Sequence, residues 1–248
     1  MKISSSSIEG IRLTEAVVDR DKKIIYFWSP KSACTSVVKS VLDSMGKLNE
    51  ALSYSEWVHD YRSEILCGQR MGMVEFRQQH SGYRKIFFVR NPYDRAASCY
   101  SHFTSFVIEK HDIKNEWTQQ TFFQFLGFLE SSSFPSGKPF LDTVLYHAYP
   151  QLPTEDCLLR ESIDDIIKVE DILTNRDIFG NLDLDLKPEH FKVGNSYHHF
   201  SSYRKGSSRE FYKELYQEDG TREMVERLYS SDLEYLGYTW EDFASETK

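Results

Sequence analysis

At 248 residues the chain can bury a substantial core, and one α/β domain over 1–248 is expected; with 40% hydrophobic and 15% aromatic residues, no stretch is biased enough for disorder beyond the ends. A formal charge of −8 disfavours generic nucleic-acid binding, which needs many Lys and Arg to neutralise phosphates, yet it leaves room for a local basic pocket. Met1-Lys2-Ile3 leads into serines where a signal peptide would be apolar, no later run has the length of a membrane span, and the 4 cysteines form no CxxC pair. The expectation is a soluble cytoplasmic protein with reduced thiols and no integral membrane segment, disulfide framework or zinc site.

Ala16-Val17-Val18 and Lys23 to Trp28 read as a strand pair joined by the polar turn Asp19-Arg20-Asp21. The loop Pro30-Lys31-Ser32-Ala33-Cys34-Thr35-Ser36 comes next. Val37, Val38, Val41, Leu42 and Met45 then recur as one helical face, with Gly46 as the stop. A small-residue loop between a strand and a helix N-terminus presents backbone N–H groups, hydroxyls and a lysine to an anion. Residues 47–82 are less regular, suiting the rim of a site or a connecting helix.

A second strand-to-helix junction spans Lys85 to Arg95, where Asn91 can cap a helix that starts at Pro92 and carries Asp94 in its first turn. Ser98 and His102 share the face of Asp94, and Arg90 sits at the strand end. Phe122, Phe125, Leu126 and Leu129 predict another helix, ended by the loop 131–137. Ile166-Ile167-Lys168-Val169 is a third buried strand, closed by Glu170-Asp171. Ser207 with Glu210 forms a capping box for a helix through Tyr216, Thr221 opens the last helix, and 233–238 packs on the core. Strands separated by helices imply parallel crossovers and a three-layer, P-loop-like α/β fold with a central, mainly parallel sheet. Ligands on such sheets bind at the carboxyl ends of the strands, where both junctions fall.

The first loop is not a Walker sequence: spaced glycines and a terminal Gly-Lys-Ser/Thr are absent, and Lys31 comes first. Pro30-Lys31-Ser32-Ala33-Cys34-Thr35, followed by Phe88-Val89-Arg90-x-Pro92-x-x-Arg95-x-x-Ser98-x-Tyr100, resembles the two donor-binding motifs of sulfotransferases that use 3′-phosphoadenosine 5′-phosphosulfate (PAPS). Within that group the likeness is to carbohydrate sulfotransferases of the chondroitin 4-O and HNK-1 type. It extends to Lys168-Val169-Glu170-Asp171 and to the Tyr-x-x-Asp-Leu run from Tyr229 to Leu233.

The resemblance implies that the backbone of Ser32, Ala33, Cys34, Thr35 and Ser36, with the hydroxyls of Thr35 and Ser36, holds the 5′-phosphosulfate. Arg90 and Ser98 would hold the 3′-phosphate, which suits the planar donor fork of arginine. Arg204-Lys205-Gly206 resembles the segment that closes over that phosphate in cytosolic sulfotransferases. Lys31 suits the charge growing on the leaving phosphate, and no metal is expected. Three histidines compete as the base for the acceptor hydroxyl. His59, in Glu56-Trp57-Val58-His59, resembles a Glu-Ala-His element of the chondroitin enzymes; His102 follows Ser98 by one turn; His80 precedes the second strand. His147, in His-x-x-Pro-Gln, reads as structural or acceptor-side.

The implied activity is transfer of a sulfuryl group from PAPS to a sugar, a glycan or another hydroxyl-bearing acceptor, with 3′-phosphoadenosine 5′-phosphate (PAP) as product. Two other readings stay open: a nucleotide-dependent kinase on a related fold, and a PAP- or PAPS-binding sensor without transfer activity. Eukaryotic relatives of the carbohydrate type are anchored in the Golgi by an N-terminal helix, which this N-terminus does not resemble. Cys34 reads as a packing residue, since no activating base lies near it in sequence.

Overall fold

The computed structural model describes residues 2–3, 16–66, 80–111, 118–134, 139–151, 163–175, 177–191 and 209–245. The chain folds as two compact units that interleave along the sequence. One comprises Glu9–Arg90 and Leu158–His199; the other comprises Met1–Ile8, Asn91–Cys157 and Phe200–Lys248. Among the described residues the strands are β1 (Lys2–Ile3), β2 (Ala16–Asp19), β3 (Ile24–Trp28), β4 (Arg84–Val89), β5 (Ser133–Phe134) and β6 (Asp165–Lys168).

The first unit is built on a four-stranded sheet in the order β2-β3-β4-β6, flanked by helices. β2 runs antiparallel to β3, while β3, β4 and β6 are mutually parallel. Every residue of β3 is buried. Such a strand has both faces covered, which is why its sequence is a continuous apolar run instead of an alternation. The register pairs Trp28 with Phe88 and Val89 with Lys168, so the three parallel strands end at a common edge. The residues that follow them, Ser29, Arg90 and Val169, therefore leave the sheet together.

Strand limits differ from the sequence reading in places: β2 continues through Asp19, which the sequence reading gave to the turn. β3 starts at Ile24, because Lys23 has a left-handed φ of 53° and belongs to the turn. That turn is organised by the Asp19 carboxylate, which accepts from the N–H groups of Asp21 (3.1 Å) and Lys22 (2.9 Å). β6 covers Asp165–Lys168, and Val169 opens the helix Val169–Thr174 with Glu170 and Asp171 in its first turn, where the dipole favours acids.

The helix after the first loop is Cys34–Ser44, and Val37, Val38, Val41 and Leu42 are its buried stripe. Gly46, at φ 68°, ends it in a Schellman arrangement: Lys47 N–H donates to Leu42 O (2.7 Å) and Gly46 N–H to Asp43 O (2.9 Å). The irregular stretch beyond resolves into the short helices Leu48–Tyr54 and Val58–Tyr61 and a π-helical turn at Arg62–Leu66. This unit's core joins the helix stripe to Tyr26, Trp28, Ile86, Phe88 and Ile167 of the sheet.

The second unit is mainly helical. Its long helix, Pro92–His111, is capped as the sequence predicts, with Tyr93 N–H donating to Asn91 Oδ1 at 3.0 Å. Gln119–Ser131 carries the Phe122, Phe125, Leu126 and Leu129 stripe and begins with a Thr118–Thr121 capping box. β1 pairs with β5 in parallel. Thr221 opens a helix as expected, but not the last one: Thr221–Leu228 is followed by Ser230–Leu236 and Trp240–Ala244. Gly237, at φ 63°, breaks the run, and a Thr239–Asp242 capping box restarts it. Tyr93, Tyr216, Trp240 and Phe243 form an aromatic cluster with ring centroids 5.0–5.7 Å apart. The Ser207–Glu210 capping box cannot be followed, because Ser207 lies outside the described residues; the helix described there is Arg209–Leu215. Among the described residues no helix is long and apolar enough to cross a membrane.

A Cβ added at Gly46 would meet nothing within 4 Å, so Gly46→Ala tests backbone strain alone. We expect a loss of about 1 kcal/mol in urea unfolding with an unchanged m-value.

Candidate active site

The loop after β3 is shaped by its backbone. Lys31 and Ala33 adopt left-handed φ angles of 69° and 55°, which cost a non-glycine residue about 1 kcal/mol or more each. Ser29 and Ser32 brace the turn: Ser32 N–H donates to Ser29 O at 3.1 Å, and the two hydroxyls lie 2.5 Å apart. Ala33 is the N-cap of helix Cys34–Ser44, supplies no capping side chain, and no acid occupies the first turn. A helix N-terminus approached through alternating left-handed residues, with no acid in its first turn, has the backbone geometry that favours an anion. The sequence suggested small residues for this purpose; that Lys31 and Ala33, without glycine, carry the left-handed geometry is a property of the fold.

Within the sheet unit, the second strand end meets this loop. Arg90 Nη1 donates to Lys31 O at 3.2 Å, so the cation expected to bind a phosphate also holds the carbonyl of the lysine beside it. Thr35 brings in a third segment, its Oγ1 lying 3.2 Å from His59 Nε2. The imidazole is 8% exposed and is flanked by Trp57 and Trp28, with ring centroids 4.7 Å and 6.5 Å away. Burial, reinforced by the nearby Arg62 cation, pushes its pKa down to about 3. At neutral pH His59 is therefore uncharged, the state a proton acceptor requires, and an anion close by would raise its proton affinity.

His59 is thus placed at the loop, whereas His80 is not. His80 sits in the turn before the amino end of β4, its ring edge-on to Tyr83 at 5.0 Å, at the opposite end of the sheet from the loop. Of the remaining loop residues, Ser32 is fully buried, Cys34 is a half-buried thiol at the first helical position, and Ser36 follows within the same turn. Arg204, Lys205 and Gly206 lie outside the described residues.

In the helical unit, Ser98 is nearly buried at the end of the second turn of Pro92–His111. His102 lies on the same helix with its ring 4.5 Å from Phe103 and 5.8 Å from His147. The His147 segment, read from the sequence as structural or acceptor-side, takes part in a buried network. Arg95, 1% exposed, donates to His147 O at 3.0 Å and lies over the Tyr229 ring at 5.8 Å. Tyr229 donates its hydroxyl to Ala148 O at 2.8 Å. The fully buried Asp232 carboxylate accepts from Gln151 N–H at 2.8 Å. The His-x-x-Pro-Gln and Tyr-x-x-Asp elements, about 80 residues apart, are two halves of one clamp with Arg95 between them.

Comparison with known proteins is consistent with this geometry. A family model described as the sulfotransferase family matches residues 14–239. The chain belongs to the sulfotransferase family. Carbohydrate sulfotransferase 11 of Danio rerio is 30% identical over 90 residues, and that of Rattus norvegicus 29% over the same length. The aligned stretch is 36% of this chain and 26% of each relative, so the chain spans about a quarter of the curated relatives it matches. No solved structure matches it. Two elements of this sulfotransferase-family chain went unread in the sequence: Arg62, which its position three residues after His59 could have signalled, and the Arg95 clamp, which no local pattern announces.

Two measurements test these placements. The folded pKa of His59 lies below the unfolded 6.5, so the unfolded chain binds more protons between about pH 3 and 6.5 and stability falls as pH drops through that window. The expected slope from this group is about 1.4 kcal/mol per pH unit, and His59→Gln should remove it when unfolding free energies of the two proteins are compared from pH 7 to 4. In the clamp, Asp232→Ala should cost about 2 kcal/mol and Tyr229→Phe about 1 kcal/mol in denaturant unfolding.

Proposed function

We propose that this chain transfers a sulfuryl group from PAPS to a hydroxyl of a sugar or glycan. One observation carries the reading: Thr35 links a main-chain anion site to a buried, uncharged imidazole. The donor is what family membership implies, and its phosphosulfate suits a site built from N–H groups, hydroxyls and a lysine. The acceptor class is taken from relatives named carbohydrate sulfotransferase 11.

In this reading the backbone of Ser32 to Ser36 and the hydroxyls of Thr35 and Ser36 bind the phosphosulfate, and Arg90 and Ser98 bind the 3′-phosphate. His59 takes the proton of the acceptor hydroxyl as its oxygen bonds to sulfur. The bond from sulfur to the 5′-phosphate oxygen breaks at the same centre, and PAP leaves. Lys31 and the loop amides stabilise the negative charge that appears on the departing phosphate. Such a transfer has a loose, in-line transition state like that of phosphoryl transfer, so its rate rests on positioning and charge rather than on a covalent enzyme intermediate. Burial of His59 supports this by keeping the base unprotonated.

Lys31→Ala should lower turnover of labelled PAPS about 100-fold while changing PAP affinity less than tenfold, because a charge that grows during reaction is felt mainly in the transition state. Arg90→Ala should weaken PAP binding at least tenfold by calorimetry. Tight PAP binding with no label transfer to any sugar or simple alcohol would support a nucleotide-binding sensor. Transfer from ATP but not from PAPS would support a kinase.

A further inference from the structure

Arg62 is buried, 6% exposed, at the point where the helix Val58–Tyr61 widens into the π-helical turn Arg62–Leu66. A guanidinium costs free energy to bury, and π-helical turns recur at functional sites. Its guanidinium carbon lies 5.6 Å from the centre of the Trp28 ring, and that ring is set edge-on to His59. Trp28 is also the last residue of β3, one position before the loop. Cation, indole and imidazole thus follow one another in a series of contacts that ends on Thr35.

We propose that Arg62 is a positioning residue of the transfer reaction, fixing His59 against Thr35 through Trp28 and keeping the imidazole in its proton-accepting form. The proposal rests on the reading of His59 as the base. A cation that cannot be deprotonated opposes a second positive charge beside it, an effect that lysine preserves and methionine does not. The other charged groups on the surrounding elements do not take over this part. Asp60, on the same helix, accepts from Ser55, and Glu64, on the following turn, accepts from Tyr54. Glu50 of Leu48–Tyr54 acts on the Tyr61 hydroxyl. On Cys34–Ser44, Asp43 is held by Lys187 and His190, while Lys39 is itself disfavoured as a cation by burial. Lys31 is followed by the neutral residues Ser32 to Ser36, and Arg90 is engaged on the Lys31 carbonyl. Burial lowers the proton affinity of His59 first, and the Arg62 cation adds to it second.

The test uses the full chain with Arg62→Met, which keeps the bulk, and Arg62→Lys, which keeps the charge. His59 is followed by NMR of labelled histidines, assigned by loss of its signal in His59→Gln, and the pH profile of kcat/KM is measured with labelled PAPS. We expect Arg62→Met to move the onset of His59 protonation, and the acidic limb of the rate profile, upward by about one pH unit. Arg62→Lys should restore both. An unchanged His59 titration in Arg62→Met, or an equal shift in both variants, would overturn the proposal. Should Arg62→Met fail to fold by circular dichroism, Arg62→Gln replaces it under the same two criteria. A titration shift as expected, alongside a wild-type protein that transfers sulfate to nothing, would instead leave the coupling standing and remove the assignment of His59 as base.

Discussion

The hydrogen bond from Arg90 to the carbonyl of Lys31 ties the ends of two parallel strands across the loop that opens the first long helix. The loop needs such a tie, since Lys31 and Ala33 hold left-handed backbone that neither would adopt in isolation. Rigid anchors on both sides make it possible. Trp28 before the loop and Val37 and Val38 after it are buried in one core, and the serine pair at 29 and 32 closes the turn between them. Strain at a binding loop persists when its surroundings over-determine it, and here a strand, a helix and a cation from the next strand do so.

Burial of His59 carries a cost of the same kind. An imidazole enclosed by two tryptophans and close to an arginine is held uncharged, and the folded protein forgoes stability below about pH 6.5 in consequence. On the proposed reading of His59 as the base for an acceptor hydroxyl, that loss coincides with readiness. A low proton affinity would make a poor base by itself. On the same reading, an anionic donor bound beside Thr35 would supply the opposing charge, so the base would gain strength when that donor is present.

The helical unit shows how a family-like motif can be structural. His147 to Gln151 and Tyr229 to Leu233 resemble family elements in the sequence without announcing a chemical role. In the fold, their backbone and side chains join a small buried network around Arg95 and Asp232. Within the second motif, Arg95 serves this network, whereas Arg90 serves the loop.

The sequence by itself determined the strands and the helix starts near the site. Ile24–Trp28 and the Ile86–Val89 part of β4 are apolar runs suited to a covered parallel sheet, and Asn91 with Pro92 encodes a helix start within two residues. These are local rules, legible wherever neighbours in the chain interact. Tertiary structure decided which histidine meets the loop, because the Thr35–His59 contact joins residues 24 apart and no periodicity distinguishes His59 from His80. It also decided that Arg62 lies over Trp28 and that Lys31 and Ala33, not glycines, turn the loop left-handed. Such features arise from the meeting of separate segments, where packing and desolvation outweigh local preference.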